Sequence, residues 1–208
     1  MRYAEGMPCG SPARDRELIQ IVDAALADAA RKAGDWLACR PGCSQCCIGA
    51  FVINSLDAAR LRAGLLALTD RDAECASRVR AKSREYMSRL KQQFPGNPES
   101  GILDEDPAVQ EIFLELADQE ACPALDTKTG ACDLYEFRPM TCRVFGPPVR
   151  NEGGGLGVCE LCFRGATVQE IAVCEMKPDS DDLEDTLVAE LADAGQRGKT
   201  IVAFVLAQ

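Results

Sequence analysis

Nine of the twelve cysteines of this chain fall between positions 39 and 162: Cys39, Cys43, Cys46, Cys47, Cys122, Cys132, Cys142, Cys159 and Cys162. The intervals Cys43-x2-Cys46 and Cys159-x2-Cys162 are those of thiolate knuckles. In such a turn, backbone N–H groups point at sulfur and two or three thiolates converge on one metal at about 2.3 Å. Cys46 and Cys47 are adjacent, and neighbouring side chains in extended backbone point to opposite faces, so one of the two belongs to a second site or to a cluster. There is no histidine, which excludes Ser-His and Cys-His catalysis as well as mixed His-thiolate zinc sites. Any soft-metal site here is thiolate-built. Cys9, Cys75 and Cys174 lie outside the turn regions and read as small buried hydrophobes or plain exposed thiols.

Arg138-Pro139 puts an extended residue before a first-turn proline, so Cys142 is expected in the opening turn of a short helix, a position that lowers a thiol pKa. Arg138 and Arg143 flank it and would offset the negative charge of a four-thiolate zinc centre or an oxidised 4Fe–4S cluster. Surface pairing with Glu136 or Asp133 is the other use for those two cations.

With 208 residues and 47% apolar side chains, the chain has enough material for a core without cysteine staples. Its net charge of −10 works against non-specific grip on nucleic acid or anionic lipid. The longest apolar run is 201–207, far below the ~20 residues that span a bilayer, so neither nucleic acid nor membrane is an expected partner. Segment 1–16 lacks the apolar stretch of about 7 to 15 residues that a secretory signal needs. The expected compartment is the cytoplasm, where thiols stay reduced and a dense cysteine set reads as metal ligands or catalytic thiols.

The elements that must position these thiols are mostly helical. Ser11 as N-cap and Pro12 in the first turn open a helix over 12–37, with Leu18, Val22, Ala25, Ala29 and Trp36 at helical spacing. The apolar run 48–53 has strand length, and Asn54 or Ser55 caps a leucine-rich helix to about Leu68. A third helix is expected over 70–93. Within it, 71–91 holds seven basic residues against three acidic ones, either a docking face for an acidic protein partner or a solvated face balanced by acidic segments elsewhere. Asp106-Pro107 opens a fourth helix with Val109, Ile112, Phe113 and Leu116 on its apolar face.

From 122 to 162 turns dominate, and the glycines of 153–157 read as a hairpin tip. Thr167 and Glu170 form a capping-box pattern, an acidic helix runs over 180–194, and 200–207 reads as a centrally paired strand. The fold class that follows is α+β, mainly helical, with a small sheet and two cysteine-rich turn regions enclosing a metal site. It is a single domain, 1–208, made of an N-terminal helix 12–37, a metal-binding core 39–162 and a C-terminal helix and strand within 166–208.

Three segments carry a resemblance: Cys39-x3-Cys43-x2-Cys46-Cys47, Cys122-Pro123-Ala124-Leu125, and the run 130–145 containing Arg138-Pro139-x2-Cys142-Arg143. Together they resemble the YkgJ-like cysteine-cluster family of zinc- or iron-chelating domains over roughly half the chain. The resemblance implies metal chelation, with the family's C-x2-CC core on Cys43, Cys46 and Cys47 and its later cysteines on Cys122, Cys132 and Cys142. The family usually sets its first cysteine two residues ahead, whereas three separate Cys39 from Cys43. Cys159 and Cys162 lie beyond the resemblance and rest on spacing. A related domain occurs in flagellin lysine methylases, which implies a cluster-dependent methyl transferase component as one alternative; no catalytic motif accompanies it.

The expectation is a cytosolic protein holding an iron–sulfur cluster, 4Fe–4S, in a redox or accessory role. Histidine is absent, the adjacent pair suits a multi-iron centre, and there are more thiolates than one zinc ion needs. The alternative is a zinc-binding structural or interaction module with one or two four-thiolate sites.

Overall fold

The computed structural model of the chain describes residues 12–151 and 153–208. The N-cap expected at Ser11 and the thiol of Cys9 lie outside the described residues. More than half of the chain is helical, and the strands are short and antiparallel, so the architecture is α+β and mainly helical. The helices are α1 (Pro12–Ala33), α2 (Ser55–Arg71), α3 (Ala73–Leu90), α4 (Pro107–Leu116), α5 (Met140–Arg143), α6 (Val168–Val173), α7 (Leu183–Asp193) and α8 (Val202–Leu206).

In place of one small sheet the described residues hold four separate two-stranded ribbons. These pair Val52 with Ile201, Gly96 with Leu103, Leu125 with Cys132 and Val149 with Gly157. The last of them flanks the glycine-rich hairpin tip.

The strand expected over 200–207 is corrected. Only Thr200–Ile201 pairs, with Val52–Ile53, and the chain then winds into α8. An apolar run has no polar positions from which to read a period, so strand and buried helix look alike in it. α8 packs against α2 and α3, and Val202, Ala203, Val205 and Leu206 are all buried. Likewise the apolar run 48–53 is strand only at Val52–Ile53, with Ile48 in a lone bridge to Ala121.

The long helices are delimited by side-chain caps. Asn54 Oδ1 accepts from Asp57 N at 2.9 Å to open α2, and Asp72 Oδ1 accepts from Cys75 N at 2.9 Å to open α3. Asp72 also ends α2, which runs three residues past the expected stop at Leu68, and the basic helix begins beyond it at Ala73, not at Asp70. The cations of α3 are largely engaged within the fold. Arg80 and Arg84 donate to the carbonyls of Gln208 and Ala207 past the end of α8, Lys82 donates to Leu125 O at 2.8 Å, and Arg89 forks onto Glu120. Carbonyls that a helix end leaves unpaired are thereby satisfied.

Four apolar clusters form the interior. The largest joins α2, α3 and α8 through Leu61, Leu65, Val79, Val205 and Leu206, and the half-buried Cys122 and Cys132 pack against it. A second holds Phe94 edge-on to Phe113, ring centroids 5.9 Å apart, in an arrangement aromatic quadrupoles favour. A third buries the inner face of α1 (Leu18, Val22) against Met140 and α7. The fourth is small: Ala33, Cys162, Phe163 and Cys174, with Leu37, Ala38 and Cys159 against them. No described helix is long and apolar enough to cross a membrane.

Candidate metal centre

The cysteine turns are brought together by backbone hydrogen bonds between segments far apart in sequence. Cys122 N donates to Cys47 O and Gly49 N to Glu120 O, both at 2.7 Å, so the adjacent pair lies alongside Cys122. The ribbon Leu125–Asp126 with Ala131–Cys132 then folds Cys132 back beside Leu125, and Asp133 N reaches Ala124 O at 2.8 Å. Cys142 joins them from α5. Cys142 is influenced by the charges of Cys122, Cys132 and Cys46, and Cys47 by those of Cys46, Cys122 and Cys132. This inner set is Cys46, Cys47, Cys122, Cys132 and Cys142, all half-buried.

The other four thiols gather elsewhere. Phe163 N donates to Trp36 O at 2.8 Å, which seats the knuckle 159–162 on the single turn Gly34–Trp36 that follows α1, and Gln45 Nε2 donates to Glu160 Oε1 at 3.0 Å. Cys39 is hydrogen-bonded to Cys162 and feels the charges of Cys43 and Cys159. Gly146, at φ +115°, lies against Cys39 so closely that a Cβ there would sit 2.7 Å from Cys39 Sγ. Gly130, at φ +71°, does the same for the loop of Cys43, since its Cβ would fall 2.4 Å from Gly42 O. Both positions need glycine, for space and for backbone conformation alike.

Backbone N–H groups point at several of these sulfurs: those of Ala124 and Leu125 at Cys122, that of Leu134 at Cys132, and those of Leu161 and Cys162 at Cys159. This is the expected knuckle geometry, and it suits thiolate, a better acceptor than thiol. All eleven described cysteines are free, none in a disulfide. Among the described residues no three cysteine, aspartate or glutamate side chains are closed up far enough to hold a metal ion.

The thiols are mostly held protonated. Burial, and then the neighbouring thiols, push Cys142 up, and burial pushes Cys122 and Cys39 up to about 12. The lowered pKa expected for Cys142 from its helical position is therefore corrected: α5 has a single turn, and desolvation outweighs whatever that turn supplies. Cys46 is the exception. The S–H of Cys47 bonded to it, with a further contribution from Arg138, draws it down to about 6, while Cys47 is pushed up because its proton is shared with Cys46.

The two arginines divide their work. Arg138 stacks over the Tyr135 ring, 3.8 Å from its centroid, and its charge helps draw the Cys46 pKa down and opposes the rise that burial imposes on Cys132. Arg143 is buried and tied to Asp23 at 2.9 Å and to the carbonyls of Glu136 and Arg138, fastening α5 to α1. Of the surface pairings open to these two cations, Arg143 takes the Glu136 carbonyl in place of its carboxylate and pairs with Asp23.

Sequence reading missed a buried ion chain, Asp15, Arg60 and Asp57, that supports the inner set. Asp57 is buried, accepts from Met140 N at 2.9 Å and pairs with Arg60 at 2.7 Å, and Arg60 in turn pairs with Asp15. Asp57 thus holds the start of the helix that carries Cys142. Burial pushes its carboxyl above the usual range, with Arg60 opposing. No local signal marks Asp57, which looks like an ordinary first-turn acid. Cys174 is a small buried hydrophobe, as one of its two expected readings had it, and it packs in the same cluster as Cys162.

The CxxCxxCC family model, described as a "putative zinc- or iron-chelating domain", matches residues 38–162. No curated protein and no solved structure matches the chain. The matched segment begins just ahead of Cys39, ends on Cys162 and takes in both gathered sets of thiols. Spanning well over half of the sequence, it shows that this chain belongs to the CxxCxxCC family of zinc- or iron-chelating domains.

Proposed function

We propose that the chain is an iron–sulfur protein of a reducing compartment, the cytoplasm, whose inner thiols Cys46, Cys47, Cys122, Cys132 and Cys142 hold a 4Fe–4S cluster in a redox or accessory role. The observation that carries this reading is the Cys122 N to Cys47 O bond. It sets the Cys46–Cys47 pair alongside Cys122, and with Cys132 and Cys142 nearby the reading has five thiols to draw on, more than one tetrahedral zinc ion takes. Their donor chemistry fits the group: soft sulfur, N–H groups directed at it, and the Arg138 cation to balance the anionic centre. When bound, such a cluster exchanges single electrons. The chain's own residues desolvate the site, fix its ligands on turns and supply a positive charge beside it. Eleven free thiols among the described residues suit a reducing compartment.

Anaerobically purified protein is expected to be brown, with thiolate-to-iron absorption that bleaches on reduction and with inorganic sulfide matching iron. A colourless protein with stoichiometric zinc would sink the iron–sulfur reading and favour a structural zinc module. That second reading has its own support in four thiols on two tight turns, Cys39, Cys43, Cys159 and Cys162.

A further inference from the structure

Three arginines of α2 and α3 converge on the residues that follow α8. Arg62 holds Gln208 Oε1 through its Nε at 3.5 Å, Arg80 donates its Nε to the main-chain oxygen of Gln208 at 3.3 Å, and Arg84 donates its own to Ala207 O at 3.2 Å. Each side chain is thus oriented through Nε alone, which leaves the terminal nitrogens of the fork for an outside acceptor. One of those nitrogens is taken, Arg80 Nη2, which donates to Thr69 Oγ1 at 3.1 Å. None of the three pairs with an aspartate or glutamate among the described residues, so the hydrogen bonds position these cations without a side-chain carboxylate to neutralise them. A guanidinium fork held this way is matched to carboxylate and has less freedom left to lose on binding.

Leu66 lies among these charges. It follows Arg62 by four residues and precedes Thr69 by three, so the three share one face of α2, and Leu66 is 62% exposed. Arg80 reaches that face through Thr69, and Arg84 stands one turn beyond Arg80 on α3.

We propose that this face of α2 and α3 docks an acidic segment of a partner protein, with Leu66 as its apolar anchor and the forks of Arg62, Arg80 and Arg84 taking the partner's carboxylates. An apolar centre with charged groups around it is the anatomy of a protein interface, and complementary charge sets which partner is accepted. A nucleic acid or an anionic bilayer offers the same sign of charge, but as an extended polyanion it meets the rest of a chain of net charge −10 and makes no use of Leu66. A second copy of the chain is opposed by the same net charge. The proposal requires no metal in the chain, so it stands or falls apart from the iron–sulfur reading.

The test uses the full chain and a short fluorescent peptide of glutamates and leucines, read by anisotropy at low and at physiological salt. Wild type is expected to bind, less tightly as salt rises, and Arg80→Glu with Arg84→Glu to lose about tenfold or more in affinity. Leu66→Ala is expected to lose about fivefold with the salt dependence unchanged, since it removes apolar contact and no charge. Arg31→Glu with Lys32→Glu, the same change of charge in the last turn of α1, is expected to stay within about twofold of wild type. No binding by wild type, or an equal loss in the α1 control, would overturn the proposal. Tighter binding of a single-stranded oligonucleotide or of phosphatidylserine vesicles than of the peptide would overturn it too, as would a low-salt dimer that the double reversal dissociates. Should the double reversal not fold, Arg62→Gln with Arg84→Gln removes two forks without adding negative charge. A drop of about fivefold or more in that variant supports the docking face, and unchanged affinity overturns it.

Discussion

The inner and outer cysteine sets use the same residue type on similar turns, yet the protein invests in them very differently. The inner set is knitted by a backbone bridge at Ile48 and Ala121, by a two-stranded ribbon and by the buried Asp15–Arg60–Asp57 chain beneath α5. The outer set has an exposed member, Cys39, and is joined across the fold by few bonds. The difference teaches that spacing finds ligands but not their support. Under the proposed chelation, a site built on long-range backbone pairing would be organised by folding, and one clipped between two turns by its ion.

The largest expected effect tests the inner half of this contrast. Cys142→Ser should lose the inner metal and most of the soluble yield together, because a structural site contributes folding free energy directly. Full metal occupancy in that variant, measured by elemental analysis, would remove Cys142 from the ligand set. Asp57→Ala comes next. It uncaps Met140 N and leaves buried Arg60 with Asp15 as its one remaining carboxylate partner, a loss of about 3 kcal/mol in urea unfolding. A change below about 1 kcal/mol would show that the buried ion chain does not hold the inner set.

Gly146→Ala probes the outer set alone. Its new Cβ meets Cys39 Sγ at a backbone conformation that L-residues avoid, costing about 1 to 3 kcal/mol. Metal affinity at the outer thiols, read by competition with a chelator, should drop by about tenfold or more while the inner metal stays; equal loss of both would merge the sets. Metal binding at both sets should tighten as pH rises. Cys39 and Cys122, at about 12, carry protons at neutral pH that the metal must displace, so each such proton makes affinity rise about tenfold per pH unit. Affinity flat between mildly acid and mildly alkaline buffer would mean that the thiols are already ionised. The smallest effect is expected for Cys174→Ala, which trims the outer apolar cluster by about 1 kcal/mol without changing metal content. Loss of metal in that variant would make Cys174 a ligand.

What could be read from the sequence was what is encoded locally. The Thr167–Glu170 capping box forms as its spacing implies, Asp106 caps the helix that Pro107 opens, and the glycines of 153–157 turn a hairpin. All nine clustered cysteines were visible, because turn chemistry and close spacing are sequence-local. Their grouping was not, because it depends on Cys47 meeting Cys122 and Trp36 meeting Phe163, contacts between segments far apart in the chain. The Arg143–Asp23 pair was hidden for the same reason. α8 was hidden for another: Val202–Leu206 is buried all round and leaves no amphipathic period to follow. The pKa of Cys142 went astray because helix position is legible in sequence and burial is not.

X-ray absorption at the iron and zinc edges of the full chain, prepared anaerobically, tests the central claim most directly. The account predicts sulfur as the nearest ligand of the bound metal, with iron neighbours around iron, and about four sulfurs at about 2.3 Å around any zinc. A shell of nitrogen or oxygen around either metal, or a chain that binds neither, would contradict it.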